Sequence, residues 1–248
     1  MPGTTNQRIS VLEAMVYLGL AVGGVGVAVL VALAWPDMAW PVRAAVLGFP
    51  AALAFTGGQF FRTTSSAALQ RAATVAWLAC VALVAATVST VAMGLNASGE
   101  NATVAGCLVA TAAGVALWRL EPRSPQVVGI VGALIGVVIG VVARPSVDDP
   151  IAGGLGIAAV GLVAIVLGEF HLALPLAAWR VCGALSMAVG SWIITGQTGA
   201  TEVVGPAVAV CLITLAVRRN SLAYIAAGVG LLFISLVMTV AVHVADPA

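Results

Sequence analysis

The sequence predicts an all-α integral membrane protein with about nine transmembrane helices. We expect two tandem, parallel repeats of four helices, followed by one C-terminal helix. Composition is the first observation behind this prediction: of 248 residues, 62% are hydrophobic and 8% are charged, and the mean hydropathy is +1.15. A water-soluble domain carries about 25% charged residues. Most of the apolar surface of this chain must therefore face lipid.

Nine apolar segments have the length of a membrane span, which needs about 17–25 helical residues. We interpret them as helices because a helix satisfies its own backbone hydrogen bonds inside the hydrocarbon. The first is too long for the apolar core of a cleaved signal peptide, so we expect it to be retained. The segments are 11–34, 42–61, 72–94, 102–118, 126–143, 151–168, 175–195, 202–217 and 221–244.

The arginines divide unevenly between the two sides that alternate connections define. Cytoplasmic connections of membrane proteins are enriched in Lys and Arg. The pattern predicts a multi-pass protein of the plasma (inner) membrane, with its N-terminus in the cytoplasm and its C-terminus outside. Arg43 and Arg144 fall on the outer side, and the N-terminal side holds Arg8, Arg62, Arg71, Arg119, Arg123, Arg180, Arg218 and Arg219.

Uncommon residues recur in the same order in both halves of the chain. We interpret them as an internal repeat, although chance similarity is an alternative. Because each unit has an even number of helices, both copies would cross the membrane in the same direction, with their third and fourth helices in equivalent positions about one axis. The recurring pairs are Pro36/Pro145, Pro41/Pro150, Gly58/Gly168, Phe60/Phe170, Trp77/Trp179, Cys80/Cys182 and Cys107/Cys211.

The repeat and the topology together divide the chain into four parts. Residues 1–10 form a cytoplasmic tail, and residues 11–120 form the first four-helix unit. Residues 121–219 form the second unit, and residues 220–248 hold the ninth helix and a short external tail.

Glycines recur every four residues in two of the predicted spans. Gly132, Gly136 and Gly140 lie in the fifth span, and Gly19 and Gly23 in the first. Small residues at this spacing allow helix backbones to approach closely in lipid. We expect these glycines to pack inside the protein, and a self-association face is the alternative.

Cofactor and metal chemistry has little support in the sequence. The two histidines, His171 and His243, fall at opposite membrane faces, about 30 Å apart, so they exclude a transmembrane haem held by both. The four cysteines lie singly in separate spans without a CxxC motif, which favours apolar packing over a metal or redox site. We therefore expect no cofactor and no metal.

Catalysis has no recognisable motif either. The sequence has no GxSxG, HExxH or P-loop pattern, and its connections are short, so we expect that the protein is not an enzyme. The net charge of +1 gives no reason to expect nucleic acid as a partner. The expected partners are the lipid bilayer and other membrane proteins, or further copies of this chain.

Hydroxyl side chains mark the only candidate polar pathway. They lie in the outer halves of the third and seventh predicted spans, namely Thr87, Thr90, Ser191 and Thr195. Hydroxyls in transmembrane helices commonly bond back to their own backbone, which is the alternative here.

A carboxylate and an imidazole lie close together at the end of the sixth predicted span, in the sequence Gly168-Glu169-Phe170-His171. A carboxylate is unfavourable at a helix C-terminus, so we expect Glu169 to pair with His171 or Arg180. We interpret the group as a water-accessible interfacial helix end, with a gate or partner contact as the alternative. On this interpretation Glu169→Gln leaves folding and insertion intact.

These patterns favour a non-catalytic, permease-like component of a transport or translocation assembly for a neutral or apolar solute. The alternative is a structural or assembly subunit of a larger membrane complex, with no pathway of its own. A hydrated cavity between the two units would favour the first, and a dry interface would favour the second.

Overall fold

The protein is helical in the part that the computed structural model describes, residues 29, 31–64, 66–144, 149–195, 201–219 and 222–245. Within these residues, a short 3-10 helix at Trp35–Asp37 is followed by eight α-helices, which correspond to the second to ninth predicted spans. Residues 11–28 of the first predicted span lie outside the described residues, so the count of nine spans stays a prediction. The helices are α1 Trp40–Arg62, α2 Ala67–Gly94, α3 Gly99–Leu120, α4 Ser124–Val142, α5 Pro150–Glu169, α6 Leu176–Thr195, α7 Thr201–Arg219 and α8 Leu222–Ala245.

Within the described residues, six helices, α1 to α6, are long and apolar enough to cross a membrane by length and composition. In α8, the apolar stretch whose side chains are described is shorter, at Tyr224–Leu236. These helices confirm the prediction of an all-α, polytopic membrane protein.

Prolines and polar caps set where several helices begin. Pro41 and Pro150, a pair from the predicted repeat, lie in the first turns of α1 and α5. Proline suits this position because its missing N–H has no partner there. Asp149 caps α5 by accepting a hydrogen bond from the Ile151 amide at 2.8 Å, and Ser98 caps α3.

The first four and the last four of these α-helices use the same order of helix contacts. We call the two groups the first and the second half; they differ from the predicted units, because α4 lies within residues 121–219. In the first half α1, α2, α3 and α4 pack in succession, and α2 also contacts α4. In the second half α5, α6, α7 and α8 pack in succession, and α6 also contacts α8. Helix α4 joins the halves by contacting α5 and α6. The sequence repeat itself stays a prediction.

Glycines bring α5 and α6 very close together. A Cβ atom added at Gly161 would lie 2.6 Å from the Met187 amide nitrogen, and one at Gly190 would lie 2.5 Å from the Ala158 amide nitrogen. Only residues without a side chain fit at these distances, which increases van der Waals contact between the helices.

The three glycines that recur every four residues in α4 differ in what they contact. Gly136 faces the Cys107 side chain and Gly140 faces Val104 and the Glu100 carbonyl, so both pack against α3. A Cβ at Gly132 would meet no atom within 4 Å among the described residues. Internal packing therefore accounts for two of the three, and Gly19 and Gly23 lie outside the described residues.

Apolar side chains fill the junction between the halves. Val127, Ile130 and Val131 of α4 are buried against Ala164 of α5 and Trp179 of α6. The ring of Trp118 packs edge-on against Trp179, with centroids 6.2 Å apart. The contact of α4 with the two helices that follow it is thus apolar and tightly packed.

Candidate functional site

Side-chain contacts join the helix ends that form one face of the bundle. Arg123, after α3, donates to the Gln70 carbonyl near the start of α2. Trp118, at the end of α3, donates through Nε1 to the Leu174 carbonyl before α6. The arginines predicted to share the N-terminal side lie near these ends, except Arg8, which is outside the described residues. We call this the arginine-rich face.

A carboxylate clamp of four side chains lies at this face, where α5 and α7 end and where α6 and α8 begin. It consists of Glu169, Arg180, Arg219 and Tyr224. The Tyr224 hydroxyl donates to Glu169 Oε1 at 2.8 Å. Arg180 Nε lies 2.9 Å from Oε1, and Arg219 Nε lies 2.7 Å from Oε2. One carboxylate thus connects four helices.

Local backbone geometry turns the chain away immediately after Glu169. Phe170 ends α5, and His171 has a φ of 56°, in the left-handed region that often ends helices. The Leu172 amide then donates to the Leu167 carbonyl at 3.0 Å. This turn places Glu169 on the last buried turn of α5, directed towards the other helix ends.

The clamp places a net positive charge around a buried carboxylate. The Glu169 side chain is 8% exposed, whereas those of Arg180 and Arg219 are 21% and 49% exposed. The partial negative charge of the α5 C-terminus disfavours a carboxylate, so the two guanidinium groups must offset both that charge and the loss of water. This arrangement fixes helices relative to one another.

The structure differs from the sequence-based expectation of a water-accessible carboxylate, because Tyr224 and two arginines cover Glu169. Of the two expected partners, Arg180 contacts the carboxylate. His171 is exposed, and its Nδ1 lies 3.1 Å from the backbone carbonyl oxygen of Glu169. The sequence reasoning missed Arg219 and Tyr224, although both follow from placing the α7–α8 connection on the same face.

The pathway candidates lie in α2 and α6. Thr87 donates to the Leu83 carbonyl at 2.7 Å, and Thr90 donates to the Ala86 carbonyl at 2.8 Å. Ser191 is buried, with 2% exposure. The Thr195 side chain lies outside the described residues. Both threonine hydroxyls therefore hydrogen-bond to the backbone of their own helix, which is the alternative to a polar pathway.

An apolar groove of about 600 Å³ lies among α1, α2 and α3, within the first half. We call it the α1–α3 groove. Thr87 contributes its only hydroxyl, which already bonds to its own helix. The larger apolar lining residues are Phe55, Val84, Val88, Leu117 and Leu120. The smaller ones are Gly48, Ala51, Ala52, Cys80, Ala113 and Ala116.

The cysteines are unpaired and differ in exposure. Cys80 is buried and lines the α1–α3 groove, and Cys211 is exposed on α7. In the described part of the chain, no group of three or more His, Cys, Asp or Glu side chains could hold a metal ion. The side chain of His243 lies outside the described residues.

Comparison with known proteins finds no match for this chain. No protein-family model, no curated protein and no solved structure matches it.

Proposed function

We propose that the protein is a non-catalytic, permease-like membrane component that accommodates an apolar solute in the α1–α3 groove. The apolar lining of this groove is the observation that carries the proposal. Pockets of about 300–1,000 Å³ suit small ligands. A solute with polar groups would leave them unpaired here, so the groove favours hydrocarbon over any polar compound.

The clamp supports this proposal by separating a fixed part of the bundle from an adaptable part. Glu169 connects α5, α6, α7 and α8, and the glycines hold α5 against α6. The groove lies instead among α1, α2 and α3, where α1 packs mainly on α2. In this function the second half is a rigid base, and the first half adjusts to the solute.

Filling the groove with a large side chain tests the proposal. In vesicles containing a phospholipid with a photoactivatable diazirine on its acyl chain, we expect labelling of peptides from α1 to α3. Ala116→Trp, inside the groove, should reduce that labelling several-fold. Ala112→Trp, an exposed site one turn away and outside the groove, is the matched control. Equal labelling of both variants would rule out occupancy of the groove.

An assembly subunit remains a second candidate, because α1 carries an apolar stripe away from α2. Phe49, Leu53 and Phe60 are 68%, 56% and 69% exposed. A photo-crosslinking residue at Phe49 that captures another membrane protein, together with an unlabelled groove, would favour the subunit. A second copy of this chain in the same adduct would identify a homo-oligomer.

We also propose that the arginine-rich face is cytoplasmic, which places the N-terminus inside and the C-terminus outside the plasma (inner) membrane. The excess of arginine on that side supports the orientation. A reporter that is active only outside the cytoplasm should be active when fused after Ala248. It should be inactive when inserted between Pro122 and Arg123, on the arginine-rich face. The reverse result would contradict the orientation and the span count.

A further inference from the structure

The clamp and its surroundings carry more positive charge than Glu169 offsets. Arg180 and Arg219 each place Nε against the carboxylate, at 2.9 and 2.7 Å. Arg218, beside Arg219 in the last turn of α7, is exposed. Three positive charges thus lie near one negative charge. Among the described residues of the arginine-rich face, the only other carboxylate is Glu121, which pairs with the arginine two residues after it. The clamp therefore favours a further anion.

The guanidinium groups can also accept a second partner. Two guanidinium groups carry more N–H donors than one carboxylate can accept, and Tyr224 already donates to Glu169 Oε1. The side chain of Arg219 is 49% exposed, so part of its donor fork is open to a ligand from outside the bundle. Arginine suits phosphate in particular, because its planar fork can donate two parallel hydrogen bonds to phosphate oxygens.

The clamp lies at the depth of lipid headgroups. Helix α5 has 20 residues, which makes it about 30 Å long, the thickness of the hydrocarbon core. Glu169 is its last residue, so the carboxylate and its arginines lie where the hydrocarbon ends. The connection that follows exposes three large apolar side chains, those of Phe170, Leu172 and Leu174, which favour lipid over water. A lipid headgroup can therefore reach the clamp directly.

An exposed face of α7 leads along the bundle to these arginines. Its residues recur three or four apart and so share one side of the helix. Val210, Thr214 and Val217 belong to this face, and Arg218 ends it. The Thr214 hydroxyl donates to the Val210 carbonyl at 2.8 Å, which leaves the face largely apolar. An acyl chain can lie along it while its headgroup reaches the arginines, whereas a soluble anion gains nothing from it.

We infer that Arg180, Arg218 and Arg219 bind the phosphate of an anionic phospholipid, whose acyl chain lies along α7. Basic pockets between transmembrane helices are suited to such headgroups. The phosphate offsets the positive charge that Glu169 leaves and connects α6 to α7 a second time. The site is separate from the α1–α3 groove, so the inference does not depend on the proposed function.

Native mass spectrometry of the purified full-length protein with added phospholipid tests this site. Phosphatidylglycerol should bind more tightly than phosphatidylcholine with the same acyl chains, because only the first has a net negative charge. Arg218→Gln should weaken phosphatidylglycerol binding about fivefold, as expected for the loss of one basic residue beside an anionic lipid. Arg119→Gln is the matched control, because it removes an exposed arginine from α3, which packs on α2 and α4. Equal affinities for the two lipids, or equal effects of the two substitutions, would overturn the inference.

Thermal unfolding in detergent distinguishes a lipid from a soluble anion. Phosphatidylglycerol should raise the unfolding temperature, because a ligand that binds only the folded protein stabilises it. Inorganic phosphate at the same concentration should not. An equal rise with both would assign the site to a soluble anion and contradict the lipid.

The carboxylate of the clamp provides a further measurement, because it competes with the phosphate for the same guanidinium groups. In Glu169→Gln these groups lose their anionic partner, so phosphatidylglycerol should raise the unfolding temperature more than in the unchanged protein. Tyr224→Phe, which keeps the carboxylate, is the control and should show the ordinary rise. An equal or smaller rise in Glu169→Gln would place the lipid away from the clamp.

Discussion

Glu169→Gln should lower the free energy of unfolding by about 2–4 kcal/mol. Removing one partner of a buried ion pair costs about 3–5 kcal/mol, because the remaining charge stays buried without compensation. We expect somewhat less here, since the Arg219 side chain is 49% exposed and water screens part of its charge. Glutamine has nearly the same shape as glutamate. The change in the free energy of unfolding therefore reflects the lost negative charge and not a cavity.

Denaturant unfolding of the purified protein measures this effect. Glu121→Gln is the matched control, because Glu121 pairs with Arg123 at the same face, with side chains 25% and 31% exposed. A partly exposed pair of this kind contributes about 0–1 kcal/mol. Equal destabilisation by the two substitutions would show that the burial of Glu169 has no energetic role. Tyr224→Phe, which removes one hydrogen bond to the carboxylate, should cost less than Glu169→Gln.

This expectation is opposite to the one that the repeat suggests. Gln59 corresponds to Glu169 in the first half, so the repeat predicts that glutamine is acceptable at position 169. However, Leu78 follows Trp77 where Arg180 follows Trp179. The first half therefore lacks an arginine at that position, whereas Glu169→Gln leaves two in place. Replacing Arg180 as well should recover part of the lost stability.

Gly161→Val should destabilise the protein by about 3 kcal/mol or more, or prevent the second half from folding. Its Cβ would lie 2.6 Å from the Met187 amide nitrogen and 2.7 Å from the Gly183 carbonyl oxygen. These are backbone atoms, so no rotamer change relieves the clash and α5 must move away from α6. Forced overpacking of a well-packed interior commonly costs about 1–3 kcal/mol. We expect a cost at or above the upper end of that range, because the close contact runs along both α5 and α6.

Gly230→Val provides the control for this substitution. It introduces the same β-branched side chain into α8, where an added Cβ would meet no atom within 4 Å in the described part of the chain. Thermal unfolding and the folded yield from membranes measure both variants. If Gly161→Val matched Gly230→Val, the close α5–α6 contact would contribute nothing to stability.

Several signals for these features were present in the sequence. Gly154, Gly161 and Gly168 recur every seven residues in α5, which indicates one small-residue face. Which glycines meet another helix depends on how the helices rotate about their axes. Hydropathy does not determine that rotation, because each helix is apolar nearly all round.

The sequence by itself determined the membrane class, the bounds of most helices and the grouping of the arginines at one end of the bundle. These features follow from solvent partition, which acts on each segment almost independently. Only the tertiary structure decided that Glu169 is buried among Arg180, Arg219 and Tyr224, and that the open groove lies among α1, α2 and α3. The reason is physical: in lipid, apolar area no longer distinguishes a buried face from an exposed one. Helix packing then depends on backbone approach and on a few polar contacts between residues far apart in the chain.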